Sequence, residues 1–158
     1  MNNIHVRKAT KEDMPAVLGL ILELAEYEHG LNTVTMSVEE LVRDGFGENP
    51  LFHCVVAEVD GKILGTAVYF FNYSTWNGKC LYLEDLVVTR KQRSKGVGSE
   101  LMKEVIRIAK ENKSKRLAWQ VLDWNRDAWD FYKKFGATLE REWVNGRLNH
   151  EQLAALEV

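Results

Sequence analysis

The chain has 158 residues, 46% of them hydrophobic, and its 21 Lys+Arg against 23 Asp+Glu leave a formal net charge of −2. That length suits a single domain, residues 1–158, with enough apolar material for an unstapled core, and the charge balance excludes both a basic nucleic-acid module and an acidic disordered chain. No apolar run reaches the ~18 residues of a membrane span, Met1-Asn2-Asn3-Ile4-His5 lacks a signal-peptide layout and Cys54 and Cys80 are isolated thiols, so a cytoplasmic protein with neither nucleic-acid nor membrane partners is expected.

In chain order, residues 4–8 read as a short strand. Thr10-Lys11-Glu12-Asp13 then resembles a capping box, with Asp in place of the usual Glu, and Met14, Val17, Leu18, Ile21, Leu24 and Ala25 follow at helical spacing. Ser37-Val38-Glu39-Glu40 opens a shorter helix that should stop near Gly45 or Gly47. Three apolar runs come next: 51–59, 62–71 and 79–88. The first two are joined by the hairpin dipeptide Asp60-Gly61, and Asn77-Gly78 precedes the third. Val97, Leu101, Val105, Ile108 and Ala109 line one face of a further helix. Residues 116–122 read as a strand and 125–135 as a helix closed by Gly136. The remainder suggests strands near 137–139 and 143–148. Meander strands mixed with βαβ connections imply an α/β (α+β) fold with a mixed sheet and helices on both faces.

Arg93-Ser94-Lys95-Gly96-Val97-Gly98-Ser99 lies between a strand and an amphipathic helix. A glycine-rich helix entry exposes unpaired N–H groups at the positive end of the helix dipole, which suits a phosphate or pyrophosphate. Arg93 and Lys95 add charge there. Neither the P-loop spacing nor the dinucleotide fingerprint is present, since the third glycine position holds Leu101. On its own the stretch is either an anion site or a glycine-softened helix start with a solvated basic loop.

Glu84 and Asp85 interrupt the apolar run Leu81–Val88. Adjacent strand residues point to opposite faces, so the pair either serves a cleft or finds Arg or Lys partners at a strand edge. Tyr132 sits at helical spacing from Phe135, as core aromatics do, and Asn125 suits a helix N-cap. Glu26 and Glu28 suit a solvated helix end. Trp119, Trp124, Trp129 and Trp143 suit core or interface packing. His5, His29, His53 and His150 are scattered, so no metal site is expected.

Several stretches together carry more information than any one of them. Leu24-Ala25-Glu26-Tyr27-Glu28, Asp44-Gly45-Phe46-Gly47-Glu48-Asn49-Pro50, Phe52-His53-Cys54, Trp76-Asn77-Gly78-Lys79, Leu81-Tyr82-Leu83-Glu84-Asp85-Leu86, Trp124-Asn125 and Phe131-Tyr132-Lys133 occur in one chain beside Arg93-x-x-Gly96-x-Gly98. Over nearly its whole length the chain resembles the GNAT acetyltransferase superfamily. Within it, the match is to the branch of diamine (spermidine/spermine) and thialysine N-acetyltransferases.

The resemblance implies a GNAT-like, mostly antiparallel sheet and transfer of an acetyl group from acetyl-CoA, without a metal, to a small cationic amine. Direct attack in a ternary complex and a homodimer are also implied. Deprotonating an alkylammonium of pKa ~10.4 at pH 7 costs about 4.6 kcal/mol, so a base is needed, and the leaving thiolate needs an acid. The resemblance assigns these roles to Glu84 and Tyr132. Leu86, Val87 and Val88, the turn from Arg93 through Ser94, Lys95, Gly96, Val97 and Gly98 to Ser99, and Asn125 would hold the coenzyme. Tyr27, Glu28, Glu84, Asp85 and Trp119 would line the amine pocket, and Glu142 is a further candidate acid. Ser94 replaces a common glycine. The rival expectations are a GNAT acting on a protein N-terminus or side chain, and a coenzyme A-binding module without turnover.

Overall fold

Strands covered on both faces read as nearly unbroken apolar runs, and the computed structural model, which describes residues 3–158, places such runs at the centre of one sheet. The elements in order are β1 (His5–Lys8), α1 (Met14–Tyr27), α2 (Val38–Phe46), β2 (His53–Val59), β3 (Lys62–Ser74), β4 (Gly78–Val88), α3 (Val97–Glu111), β5 (Leu117–Ala118), α4 (Arg126–Lys133) and α5 (His150–Ala155). The chain divides into two units, Met1–Gln120 and Val121–Val158.

In the first unit the sheet order is β1-β2-β3-β4-β5. All neighbours are antiparallel except β4 and β5, which run parallel. Cys54, Val56 and Val68 share a buried cluster with Met14, Val17 and Leu41, so α1 and α2 cover one face. Gly65 belongs to the other face: a Cβ there would lie 2.9 Å from Leu101 and 3.1 Å from Val97, side chains of α3. The mixed sheet with helices on both faces is therefore observed within this unit.

Local chemistry accounts for the ends of these elements. Thr10 and Asp13 form the capping box expected ahead of α1, and Ser37 and Glu40 form the one that opens α2. Asp60 and Gly61 both take positive φ, 51° and 73°, as a two-residue turn matched to strand twist requires. Gly136 follows α4 at φ 79°.

Three expectations are corrected. The 116–122 strand shrinks to Leu117–Ala118, whose strand partners among the described residues are Leu81 and Tyr82. Residues 137–139 and 143–148 are not strands. Residues 140–158 are all exposed, Trp143 among them, and the regular element there is the six-residue helix α5, opened by the Asn149/Gln152 box.

The close approach of α3 at Gly65 sets the height of the helix that carries the glycine-rich turn. Gly65→Ala should lower stability by about 1–3 kcal/mol through overpacking, read as a reduced urea midpoint at unchanged slope. An unchanged midpoint would mean that α3 can step back freely.

Candidate active site

The register of β3 with β4 contains the feature on which the site is built. Val68 pairs with Asp85, but the next residue, Tyr69, pairs with Leu83, so Glu84 is an extra residue: a β-bulge. The simple alternation expected of Glu84 and Asp85 is therefore broken. Asp85 lies on the face covered by α1, beside the row that holds Val68, while the bulged Glu84 is exposed. Tyr82, paired with Phe70, lies on the same face as Asp85, their rings 5.3 Å apart.

The same strand has an open edge. β5 pairs with β4 only at Leu81 and Tyr82, and no described strand pairs with that edge further along. The amide of Thr89 donates to the Leu64 carbonyl of β3 at 2.8 Å, whereas the carbonyl of Val88 accepts from Arg93 Nε at 3.5 Å. Backbone groups alternate sides along a strand. Val88, and Leu86 two residues before it, thus turn their peptide groups to the open edge, and Val87 turns to β3.

Beyond that edge comes the glycine-rich turn. Ser94 at φ 65° and Gly96 at φ 89° are both left-handed. Alternation of this kind gathers successive N–H groups into an anion-binding concavity. Gly96 is the N-cap of α3 and supplies no side chain to cap it. The first helical bond of α3 runs from the Glu100 amide to the Gly96 carbonyl at 3.1 Å. The amides of Val97, Gly98 and Ser99 therefore precede the ladder, with Arg93 and Lys95 exposed alongside. A donor set of helix amides and two cations fits a pyrophosphate. Ser94 takes the conformation that glycine adopts at least cost, which is why a glycine is the commoner occupant of such a position.

Tyr27 is the last residue of α1 and Glu28 is its C-cap. Burial, then the charges of Glu84 and Glu28, push the Asp85 carboxyl up to about 6, so carboxylates from α1 and β4 converge. Crowding by protein atoms also raises the Glu28 carboxyl, although the residue is exposed. The Tyr82 hydroxyl is raised by burial and by the same two β4 acids. Among the described residues no lysine or arginine forms an ion pair with Glu28, Glu84 or Asp85. The strand-edge pair capped by a basic residue is thus not what forms. Trp119, half-buried, follows β5 directly.

In the second unit, Asn125 is the N-cap of α4 and accepts from the Ala128 amide at 3.3 Å. Tyr132 is buried in α4, its ring 5.2 Å from that of Phe131. Glu142 is exposed in the segment after α4. Cys54 is no nucleophile: burial pushes its thiol up to about 11, and its Sγ lies 3.1 Å from Thr66 Oγ1. His53 pairs with Tyr69, on the opposite face from Cys54. Among the described residues no group of three His, Cys, Asp or Glu is placed to hold a metal ion, and no helix is long and apolar enough to cross a membrane.

Two features escaped sequence reasoning. The bulge at Glu84 exists only in the pairing with β3. The last turn of α1 also holds the loop after β4 through Glu23, Glu26 and Tyr27, whose i, i+3, i+4 spacing was a readable signal for one helix face.

A family model described as the acetyltransferase (GNAT) family matches residues 20–137. The chain is 39% identical to a thialysine N-epsilon-acetyltransferase of Sus scrofa over 99% of this chain and 98% of that one. It is 38% identical to the spermidine/spermine N(1)-acetyltransferase-like protein 1 of Homo sapiens, over 97% of this chain and 24% of that protein. Among solved structures, an integron cassette protein from the mobile metagenome of V. cholerae superposes with a TM-score of 0.76 at 28% identity, covering 96% of this chain and 95% of that one.

The Asp85 carboxyl carries a pH signature. Its folded-state pKa, pushed up to about 6, lies above the 3.8 of an ordinary aspartate. The native state therefore binds the proton more tightly, and stability falls as pH rises through that interval. Asp85→Asn should match wild type near pH 4 and gain on the order of 2 kcal/mol above pH 7, measured by urea unfolding at both ends. A difference independent of pH would show that Asp85 is not desolvated among like charges.

Proposed function

The chain belongs to the acetyltransferase (GNAT) family, and from that premise we propose that it transfers the acetyl group of acetyl-CoA to a primary amine of a small diamine, polyamine or lysine-like substrate. One observation carries the choice of substrate: the charges of Glu84 and Glu28 both reach Asp85, and among the described residues no lysine or arginine forms an ion pair with any of the three. Partly desolvated like charges are unfavourable alone and attract a flexible cation with two amino groups. Tyr27, next to Glu28, brings an aromatic ring to the amine side of the site, with the Arg93 guanidinium already over that ring.

Acetyl-CoA brings the activated acetyl thioester. The residues 93–99 turn holds its pyrophosphate through the amides of Val97, Gly98 and Ser99 and the charges of Arg93 and Lys95. Leu86 and Val88 bind the pantetheine arm with the peptide groups they turn to the open edge of β4, and the Leu86 amide polarises the thioester carbonyl. Asn125 adds a contact to the coenzyme, and Trp119 bounds the amine pocket.

Glu84, carried outward by the bulge, takes the proton from the attacking ammonium through a water molecule. Asp85 and Glu28 hold the cation in place. Tyr132 returns a proton to the departing sulfur. The amine attacks directly: Cys54 is buried with its thiol pushed up to about 11, and Cys80, on the same face of β4 as Tyr82, is buried as well.

A thiol-release screen with acetyl-CoA against free diamines, polyamines, thialysine, other amino acids and peptides tests the substrate class. Turnover with free amines that exceeds turnover with peptides is expected, and activity confined to peptides would overturn the reading. Glu84→Gln and Tyr132→Phe should each lose about 10²-fold or more in kcat/KM at pH 7. Unchanged kcat/KM from pH 6 to 9 in both variants would remove the assigned roles.

A further inference from the structure

The end of α1 and the loop after β4 are joined by four contacts on one helix face. Glu23 accepts from the Thr89 hydroxyl at 3.1 Å with one carboxylate oxygen and from the Arg90 amide at 3.3 Å with the other. Glu26 pairs with Arg90 at 3.2 Å. The Arg93 guanidinium lies over the Tyr27 ring, 4.8 Å from its centroid, while its Nε reaches the Val88 carbonyl. Arg93 opens the turn that would hold a pyrophosphate, and Tyr27 adjoins Glu28, whose charge is felt by Asp85.

These contacts differ in worth. The Glu26–Arg90 pair joins two side chains that are both about half exposed, and such pairs contribute little. Glu23 is half-buried and holds two donors on adjacent residues of the loop, the better geometry for fixing a backbone. Above it, the last amides of the helix end, Glu28, His29 and Gly30, bond to Leu24, Glu26 and Ala25 carbonyls at 2.9, 3.2 and 2.8 Å. Helix ends fray unless tied down, and this end is tied to the loop that carries Arg93.

We infer that Glu23 is a positioning residue that joins the two sides of the site: it fixes Thr89 and Arg90 to α1, keeps Arg93 against Tyr27, and so transmits coenzyme A binding at the 93–99 turn to the helix end that carries Glu28. An anion held by Arg93 immobilises its guanidinium, and the ring beneath it is immobilised in turn. By linkage, whatever orders that helix end strengthens coenzyme binding by the same factor. This inference rests on the acetyl-CoA reading above and assigns Glu23 no contact with either ligand.

The test measures binding and protection, not turnover. Coenzyme A itself is titrated calorimetrically into wild type, Glu23→Ala, Glu23→Gln and Glu26→Gln, and amide hydrogen exchange over residues 24–30 is followed with and without it. In wild type, coenzyme A should slow exchange at Glu28, His29 and Gly30. Glu23→Ala should weaken coenzyme A by about 5–10-fold, the lower range of measured couplings, and should show no added protection even at saturation. Glu23→Gln, which keeps one acceptor oxygen, should recover part of both effects, and Glu26→Gln should match wild type. Thr89→Val removes only the hydroxyl donor and should reproduce the direction of Glu23→Ala, which keeps the inference testable if the alanine variant fails to fold. Wild type that binds coenzyme A without slowing those amides, or Glu23 variants that retain both affinity and protection, would overturn the inference and leave the acetyl-CoA reading standing. Wild type that does not bind coenzyme A would overturn that reading and this inference with it.

Discussion

Backbone polar groups in a sheet have to be paired, and β4 meets that demand fully on one side only. Toward β3 it is paired along nearly its whole length; toward β5 it is paired for two residues. From Leu83 onward its outer edge offers peptide groups to whatever lies alongside. An exposed sheet edge is ordinarily a liability. Here the glycine-rich entry to α3 follows directly at the end of that edge, with helix amides that no side chain caps. Among the described residues the fold thus presents two adjacent sets of backbone groups outside the strand and helix ladders, one on a strand and one at a helix start, which together suit an extended ligand with a phosphate at one end.

The bulge at Glu84 is the second consequence. Without an extra residue, Leu83 and Asp85 would share one face and Glu84 the other. With it, Leu83 and Leu86 keep to the α3 face, Asp85 joins the α1 face, and Glu84 is left exposed. One inserted residue thereby separates the two acids into a desolvated carboxyl and a solvated one. Two titratable groups in different environments are what opposed tasks such as cation binding and proton removal require. Burial and the neighbouring charges of Glu84 and Glu28 raise the Asp85 carboxyl, and a cation placed beside it would favour the ionised form.

Local signals were legible where the chemistry is local. The capping boxes at Thr10/Asp13 and Ser37/Glu40, the Asp60-Gly61 turn and the amphipathic face of α3 all formed as the residues suggested, because each rests on neighbours a few positions apart. The carboxylates and the glycine-rich turn were legible as candidates. Failures came where pairing depends on distant chain. Residues 116–122 have a strand's composition, yet β4 offers them partners only at Leu81 and Tyr82. The strand expected at 143–148 does not form: every residue from 140 to 158 is exposed, and the Asn149/Gln152 capping box opens the helix α5 there. The bulge could not be read from β4 alone, since it is a property of the register with β3.

Receipt of a cationic amine by the carboxylates of Glu28, Glu84 and Asp85 is the step on which the proposed substrate class rests. Its most direct test is the ¹³C carboxyl titration of Asp85, followed in the free protein and again with coenzyme A and saturating spermidine. The free-protein midpoint is expected at about 6 and should move to lower pH when the amine binds, since a nearby cation favours the ionised form. An Asp85 that titrates like an ordinary aspartate in the free protein, or whose midpoint the amine leaves in place, would contradict it.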